Sequence, residues 1–491
     1  MKKKYSYFSF LLFLFLLFLA TVSKSQTCST VPLTILSQYQ TTGSPLPMTP
    51  VADRLSRPYL YVAAKDGGLL IFDISVITIP VLSQTLDISH FDSLHVMNVY
   101  QQGNYLYLAL GNFFGNGNTQ KPGIAIVNIT NPLNPVVTDI WEYPTVEKGS
   151  AYVTVDGNYA FLGGMTKGLI ILNVSNVNAI SYVSEYLPNP NYPLNNPTAS
   201  QMPNARGLAV SGNKVYVCYD AGGLRVIDIT NINAPTQTGQ YINVACLGKQ
   251  QAYNNIILNG NLAYIAVDFC GMEIVDISNT SSITQVGWWN PYNCEGLSNL
   301  WLNSPGHMNE IAYLPADNAI FLSAGGSQLR VIDVTNPALP DSCNGYGITN
   351  TQEGSWGLDV YQNKIYLANI TSFIPFFSTW KGIKILGWAS TQGVGEDSVD
   401  RGKVTVQPNP FSEETEIQYE LNKSNSTTIE ITDIIGREIT EFGRLKLNSG
   451  PQKIKWNGRN AAGEEVAGGM YFVKIKTNNN SSITKLFKIS K

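Results

Sequence analysis

Apolar positions along this chain come in short runs, about five to seven residues long, rich in Val, Ile, Leu and Tyr and separated by polar turns. Runs of that length and composition predict strands, and no stretch holds a helical period over three turns. One arrangement recurs: an apolar run, a short turn, then Gly leading into an alternating strand that ends in Asp or Asn. Instances of that last strand read GGLLIFDIS, GIAIVNIT, GLIILNVS, GGLRVIDIT, GMEIVDIS, SQLRVIDVT and GIKILGW. Their ends fall at Asp73, Asn128, Asn173, Asp228, Asp276, Asp333 and Gly387, which makes six intervals of about 52 residues each. Self-similarity near that period, four strands to the repeat, is the signature of propeller blades.

Each repeat divides into four strands. In the fifth they are expected at 253–258, 262–267, 272–277 and 284–288. Asp156-Gly157, Ser211-Gly212-Asn213 and Asn259-Gly260 supply hairpin chemistry, because Gly and Asn accept positive φ. The seventh repeat has no fourth strand, since residues 389–403 read as a linker. A segment at the other end of the chain, 33–40, resembles the fourth strands PVLSQTLD and PTQTGQYIN and is expected to close blade seven, removing an exposed sheet edge. The pattern therefore predicts an all-β chain: a seven-bladed β-propeller over 26–388 and a small C-terminal Ig-like β-sandwich over 404–491. The Asp or Asn at each strand end is read as a turn cap rather than a metal ligand, because Asn128 and Asn173 keep the hydrogen bond without the charge.

Composition narrows the setting. Charged residues are 14% of the chain and the net charge is −3, with no basic stripe, which argues against nucleic acid as a partner. Lys2, Lys3 and Lys4 precede an apolar run over 8–20, too short to span a bilayer, and Ser23 and Ser25 follow. Residues 1–25 are thus expected to be a signal peptide, and no other segment reads as transmembrane. Six cysteines, Cys28, Cys218, Cys246, Cys270, Cys294 and Cys343, include no C-x-x-C pair. In an exported chain they allow disulfides. Cys246–Cys270 is the first expectation, with Cys270–Cys294 the alternative, and Cys28 with Cys343 a further pair.

The segments GGLRVIDITN, GMEIVDISN and QLRVIDVTNP resemble the LVIVD-repeat propellers across about residues 32–388. That resemblance implies a propeller on a microbial surface and no settled activity. From Val404 the chain changes character. Pro408-Asn409-Pro410-Phe411, ITDIIGREI, Trp456-Asn457-Gly458-Arg459 and GGMYFVKI, with Lys485, Lys488 and Lys491, resemble the C-terminal sorting domain of the type IX secretion system of Bacteroidetes-like bacteria. The second resemblance implies Sec export, passage through the outer membrane with the secretion machinery as partner, and a secreted or cell-surface product.

In a propeller the fourth-to-first and second-to-third connections share one face, and the long loops of this chain belong to it. They carry Phe113, Phe114, Tyr192, Trp301 and Trp380, with Trp288 and Trp289 just before one of them and His95 and His307 at the starts of first strands. Aromatic rings grouped on one rim suit a glycan, peptide or protein ligand. The chain is accordingly read as a binding or adhesion propeller, with a hydrolase or lyase using Asp66, Asp220 and Asp268, or a passive structural surface protein, as alternatives. No G-x-S-x-G, H-E-x-x-H or P-loop occurs, and no cofactor or metal site is expected.

Overall fold

A computed structural model describes residues 33–489 except 115–117, 199–201, 247–251, 292, 295–305, 348–351, 374–375, 389–404, 422–424, 434–436, 448–449 and 477–480. The expected signal peptide, the linker, Cys28 and Trp301 lie outside the described residues. The chain forms two compact units, Met1–Thr391 and Gln392–Lys491.

Seven four-stranded antiparallel sheets make up the first unit. Six use consecutive strands: blade one spans 49–86, blade two 96–142, blade three 152–186, blade four 208–241, blade five 253–289 and blade six 308–346. Blade seven takes Ser355–Tyr361, Lys364–Asn369 and Gly382–Trp388, and its fourth strand is Leu33–Gln40 from the start of the chain. That strand pairs antiparallel with Gly382–Trp388, Ile35 facing Leu386 and Tyr39 facing Ile383. Its bulge between Ile35 and Ser37 corresponds to bulges against the fourth strands of the other blades, as at Ile71/Phe72 and Ile274/Val275. First strands of successive blades contact one another in a closed ring, from blade one round to blade seven and back.

The alternation read in sequence explains this arrangement. Residues on both faces of a blade are apolar, so each sheet is covered by a neighbour on either side. Ile124 and Ile126 of blade two pack on Val153, Leu162 and Ile170 of blade three. Phe72 and Leu70 of blade one pack on Ile383 and Ile385 of blade seven. Hydroxyls of the bulged fourth strands add bonds to the next blade: Ser37 Oγ donates to Ile77 O at 2.6 Å and Ser184 Oγ to Ile232 O at 2.6 Å. At the ends of the third strands Asp73, Asn128, Asn173, Asp228, Asp276 and Asp333 each accept the backbone N–H two residues on, the turn-capping geometry.

The Gly that opens the third strand has a steric cause. Gly271 sits at φ 77°, and a Cβ there would lie 2.0 Å from Trp289 O of the fourth strand. Gly68 repeats the geometry against Leu86 O, also at 2.0 Å. A side chain would push the outer strand from its partner.

The second unit is a two-sheet sandwich. One sheet joins Thr405–Gln407, Thr415–Leu421 and Gly450–Trp456. The other runs Glu438–Leu447, Asn425–Asp433, Gly469–Lys476, Ser481–Lys488 in spatial order. Phe411, Trp456, Tyr471, Val473 and Leu486 lie in its core. Glu438–Leu447 is an edge strand and carries Glu438 and Glu441, charge typical of edge strands.

Gly271→Ala should lower stability by about 2 kcal/mol or more, because φ and space both oppose a side chain. Chemical denaturation of the variant against wild type reads this, and equal midpoints would refute it.

Candidate functional site

First strands surround the channel, and several carry polar residues where one face should be apolar. At the end of the channel nearest the long loops, a cavity is lined by Phe113, Ala151, Tyr152, Arg206, Gly207, Asn254, Asn255, Asn309, Glu310 and Trp356, drawn from blades two to seven. Its volume is about 20 Å³, room for one water-sized group. Phe113 and Phe114 stack at 4.8 Å, Phe114 lies 4.9 Å from the Trp356 ring, and the Arg206 guanidinium sits 5.4 Å from the Phe113 centroid.

Amide side chains tie the polar wall together. Asn254 Nδ2 donates to Met308 O at 2.6 Å, and Asn255 Nδ2 donates to Glu310 Oε2 at 2.5 Å. Asn309 Nδ2 donates to His307 O at 3.3 Å. The Oδ1 atoms of Asn254 and Asn309 are buried with no hydrogen-bond partner among the described residues. Loss of solvent pushes the Glu310 carboxyl up to about 8, against the opposing pull of Asn255 and Arg206.

Carboxylates and a histidine gather beside this cavity. Asp268 and His307 are both buried and pair through Oδ1 and Nδ1. Asp220 accepts from Asn204 Nδ2 at 3.2 Å, and its carboxyl is raised by desolvation, with Arg206 and Lys148 acting the other way. Asp66 and His95 belong to the junction of blades one and two. His95 is pushed down by desolvation and by Lys65.

The aromatic residues expected on one rim divide into three groups. Phe113 and Phe114 stand at the channel mouth. Trp289 is buried between blades five and six, and Trp288 donates its indole N–H to Cys270 O at 2.8 Å. Tyr192 and Trp380 cover buried cations: Tyr192 lies 4.8 Å from the Arg225 guanidinium and Trp380 5.0 Å from Lys384 Nζ. These cations stand three residues before the strand-end position of the third strand, Asp228 in blade four and Gly387 in blade seven. Blades four to seven place Arg225, Glu273, Arg330 and Lys384 there, where blades one to three have Leu70, Ala125 and Ile170. Arg225 donates to the carbonyls of Asn189 and Tyr192, and burial brings it down to about 10. Lys384 pairs with Glu353 and donates to Gln328 Oε1 at 2.9 Å. Glu273 accepts from Tyr241 at 2.9 Å and from Tyr253 at 3.1 Å, and desolvation pushes it up to about 7. Much of the aromatic content of these loops thus anchors the loops themselves.

The cysteine expectation is corrected. Cys270 bonds Cys294, not Cys246. Cys270 closes a buried turn, Asp268–Cys270, and Cys294 follows the fourth strand of the same blade, so the bond joins two segments of blade five. Cys343 is also disulfide-bonded, and Cys218 is free and buried.

Sequence reasoning missed Arg206, Asn254, Asn255, Asn309, Glu310 and Trp356. A signal was present, because the first strands begin Tyr-Asn-Asn and Met-Asn-Glu in otherwise apolar company. That these starts meet at one channel end is a property of ring closure.

Comparison with known proteins agrees with this architecture. The LVIVD repeat matches residues 54–88, 149–187, 204–243 and 252–290, and the secretion system C-terminal sorting domain matches 405–489. Among solved structures, the RRP9 WD40 repeats align at 11% identity over 73% of this chain and 100% of that chain, with TM-score 0.52. PorZ, an essential surface component of the type-IX secretion system of Porphyromonas gingivalis, aligns at 14% identity and TM-score 0.40, over 88% of this chain and 64% of that chain. The WD40 propeller of Doa1 aligns at 9% identity over 74% and 99%, with TM-score 0.47. No curated protein matches the chain. The molecule is a β-propeller joined to a secretion sorting domain. LVIVD repeats lie within the propeller, and the C-terminal sorting domain indicates export to the cell surface or beyond.

Two measurements test this description. The Cys270–Cys294 bond closes a sequence separation of 24 residues, so Cys294→Ser should cost about 3 kcal/mol in denaturant unfolding. No change would show that the bond is dispensable. Glu273 holds its proton more tightly in the folded state than its ordinary value of 4.5 allows. The stability it contributes is full below about pH 4.5 and is lost as pH rises towards about 7. Glu273→Gln should flatten the fall in melting temperature between those pH values, and an unchanged profile would contradict the burial argument.

Proposed function

We propose that this protein is an exported surface binding propeller whose ligand docks on the long-loop face at the channel mouth. The observation that supports it is the wall of Phe113, Phe114 and Trp356 standing over an incompletely bonded polar cavity. Stacked rings offer an apolar face, and unspent amide oxygens and a guanidinium offer polar selection, the division of labour common to ligand sites. The buried ion anchors at Arg225 and Lys384 hold the surrounding loops in place before a ligand arrives, which reduces the ordering cost of binding.

A hydrolytic reading rests on the Asp268–His307 pair beside Asp220. It requires loss of an extracellular polysaccharide on incubation, abolished by Asp268→Asn.

The binding reading is tested by melting the secreted chain against polysaccharides, peptides and proteins of the cell surface. A ligand of the folded state at a hundred times its dissociation constant should add about 2.7 kcal/mol. The shift should be largely lost in Phe113→Ala. No shift across the panel, or one indifferent to Phe113→Ala, would overturn the assignment.

A further inference from the structure

Three kinds of group surround the channel cavity, and they do not balance. The acceptors are Glu310, Asn254 Oδ1 and Asn309 Oδ1, the two amides being 4% and 5% exposed and both oxygens unpartnered among the described residues. Each amide has already spent an N–H on a backbone carbonyl, at Met308 and at His307, which leaves its oxygen as the spare function. Glu310 Oε2 is met by Asn255, whereas Oε1 has no protein donor among the described residues.

The charges nearby are otherwise assigned. Asp268 is paired with His307. Asp220 is drawn towards Arg206 and Lys148. Arg206 rests against the Phe113 ring and forms no ion pair with Glu310. Asp359 adds further negative potential at Glu310. Glu310 thus has no ion-pair partner among the described residues, and only the longer-range pull of Arg206, shared with Asp220, acts on it.

Building on the binding function proposed above, we infer that the cavity receives a primary ammonium, the tip of a lysine side chain presented by a protein partner, held by Glu310, Asn254 Oδ1 and Asn309 Oδ1. An ammonium has three donors and no acceptor, which matches three unspent acceptors. It is close to water in size, and the space of about 20 Å³ admits one such group. A slim methylene stem lies along the aromatic wall of Phe113 and Trp356, whose centroids stand 6.3 Å apart, whereas an amine carried directly on a sugar ring is broader than the space of about 20 Å³.

The test uses the full secreted chain and titration calorimetry with Nα-acetyl-lysine methylamide, its norleucine counterpart and glucosamine as probes. The lysine derivative should bind at least about tenfold more tightly than the norleucine one, with glucosamine no better than norleucine. Glu310→Gln, which keeps the neutral shape, should remove the difference, and Asn309→Ala should reduce it while melting shows each variant folded. Affinity should rise about tenfold or more from pH 6.5 to 8.5 as the carboxyl ionises, and near pH 7 binding should release a proton to the buffer. Equal binding of lysine and norleucine probes, tighter binding of glucosamine, or an affinity unmoved by Glu310→Gln would overturn the inference. If a neutral glycan shifts the melting point through Phe113 while the lysine probe fails, the inference falls and the binding function stands. If no surface polymer or probe binds, both fall.

Discussion

Every blade of the propeller is apolar on both faces, and that single constraint organises the rest of the chain. A sheet with two apolar faces needs two neighbours, so a row of such sheets is stable only as a ring. Closure depends on Leu33–Gln40 completing blade seven, which covers the outer edge of Gly382–Trp388 and carries Leu36 and Tyr39 into the core between blades seven and one. The closing strand shares the bulge of the other fourth strands and sends Ser37 to a carbonyl of the neighbouring blade. It is a fourth strand in every physical respect except its place in the chain.

The ring is not uniform in chemistry. In blades four to seven a charged residue replaces the aliphatic one three residues before the end position of the third strand, and Arg225, Glu273 and Lys384 are almost completely buried there. A buried charge is costly unless bonded, so each recruits a nearby loop: Arg225 the carbonyls of Asn189 and Tyr192, Glu273 the phenols of Tyr241 and Tyr253, Lys384 the carboxylate of Glu353. Together with the Cys270–Cys294 bond, these contacts hold the loops of one half of the ring close to the channel mouth. The proposed ligand face is thereby a built surface, and Tyr192 and Trp380 serve it as supports.

The channel mouth inverts the usual logic of a core. Asn254, Asn255, Asn309 and Glu310 stand on innermost strands, where an aliphatic residue would be cheaper, and two amide oxygens there have no partner among the described residues. Polar groups left so are candidates for function because stability alone does not explain them. The sorting domain, by contrast, closes its own core around Trp456 and Phe411, and the export it indicates is independent of what the propeller binds.

The order and number of the repeats, the strand-end caps, the closing strand and the sorting domain were all legible in the sequence, because each rests on local pattern: period-two alternation, turn residues and runs of a few residues. Aromatic residues in long loops could be named in the same way, but their roles could not. Whether Trp289 packs inside or Phe113 faces the channel depends on which loop crosses which blade. The pairing of Cys270 with Cys294, the meeting of Asp268 with His307 and the convergence of Arg206, Asn254, Asn309, Glu310 and Trp356 unite residues that are far apart in the chain. Only tertiary structure decided these, because a ring brings together the same end of every innermost strand, and nothing in a local pattern records which side chains will share that end.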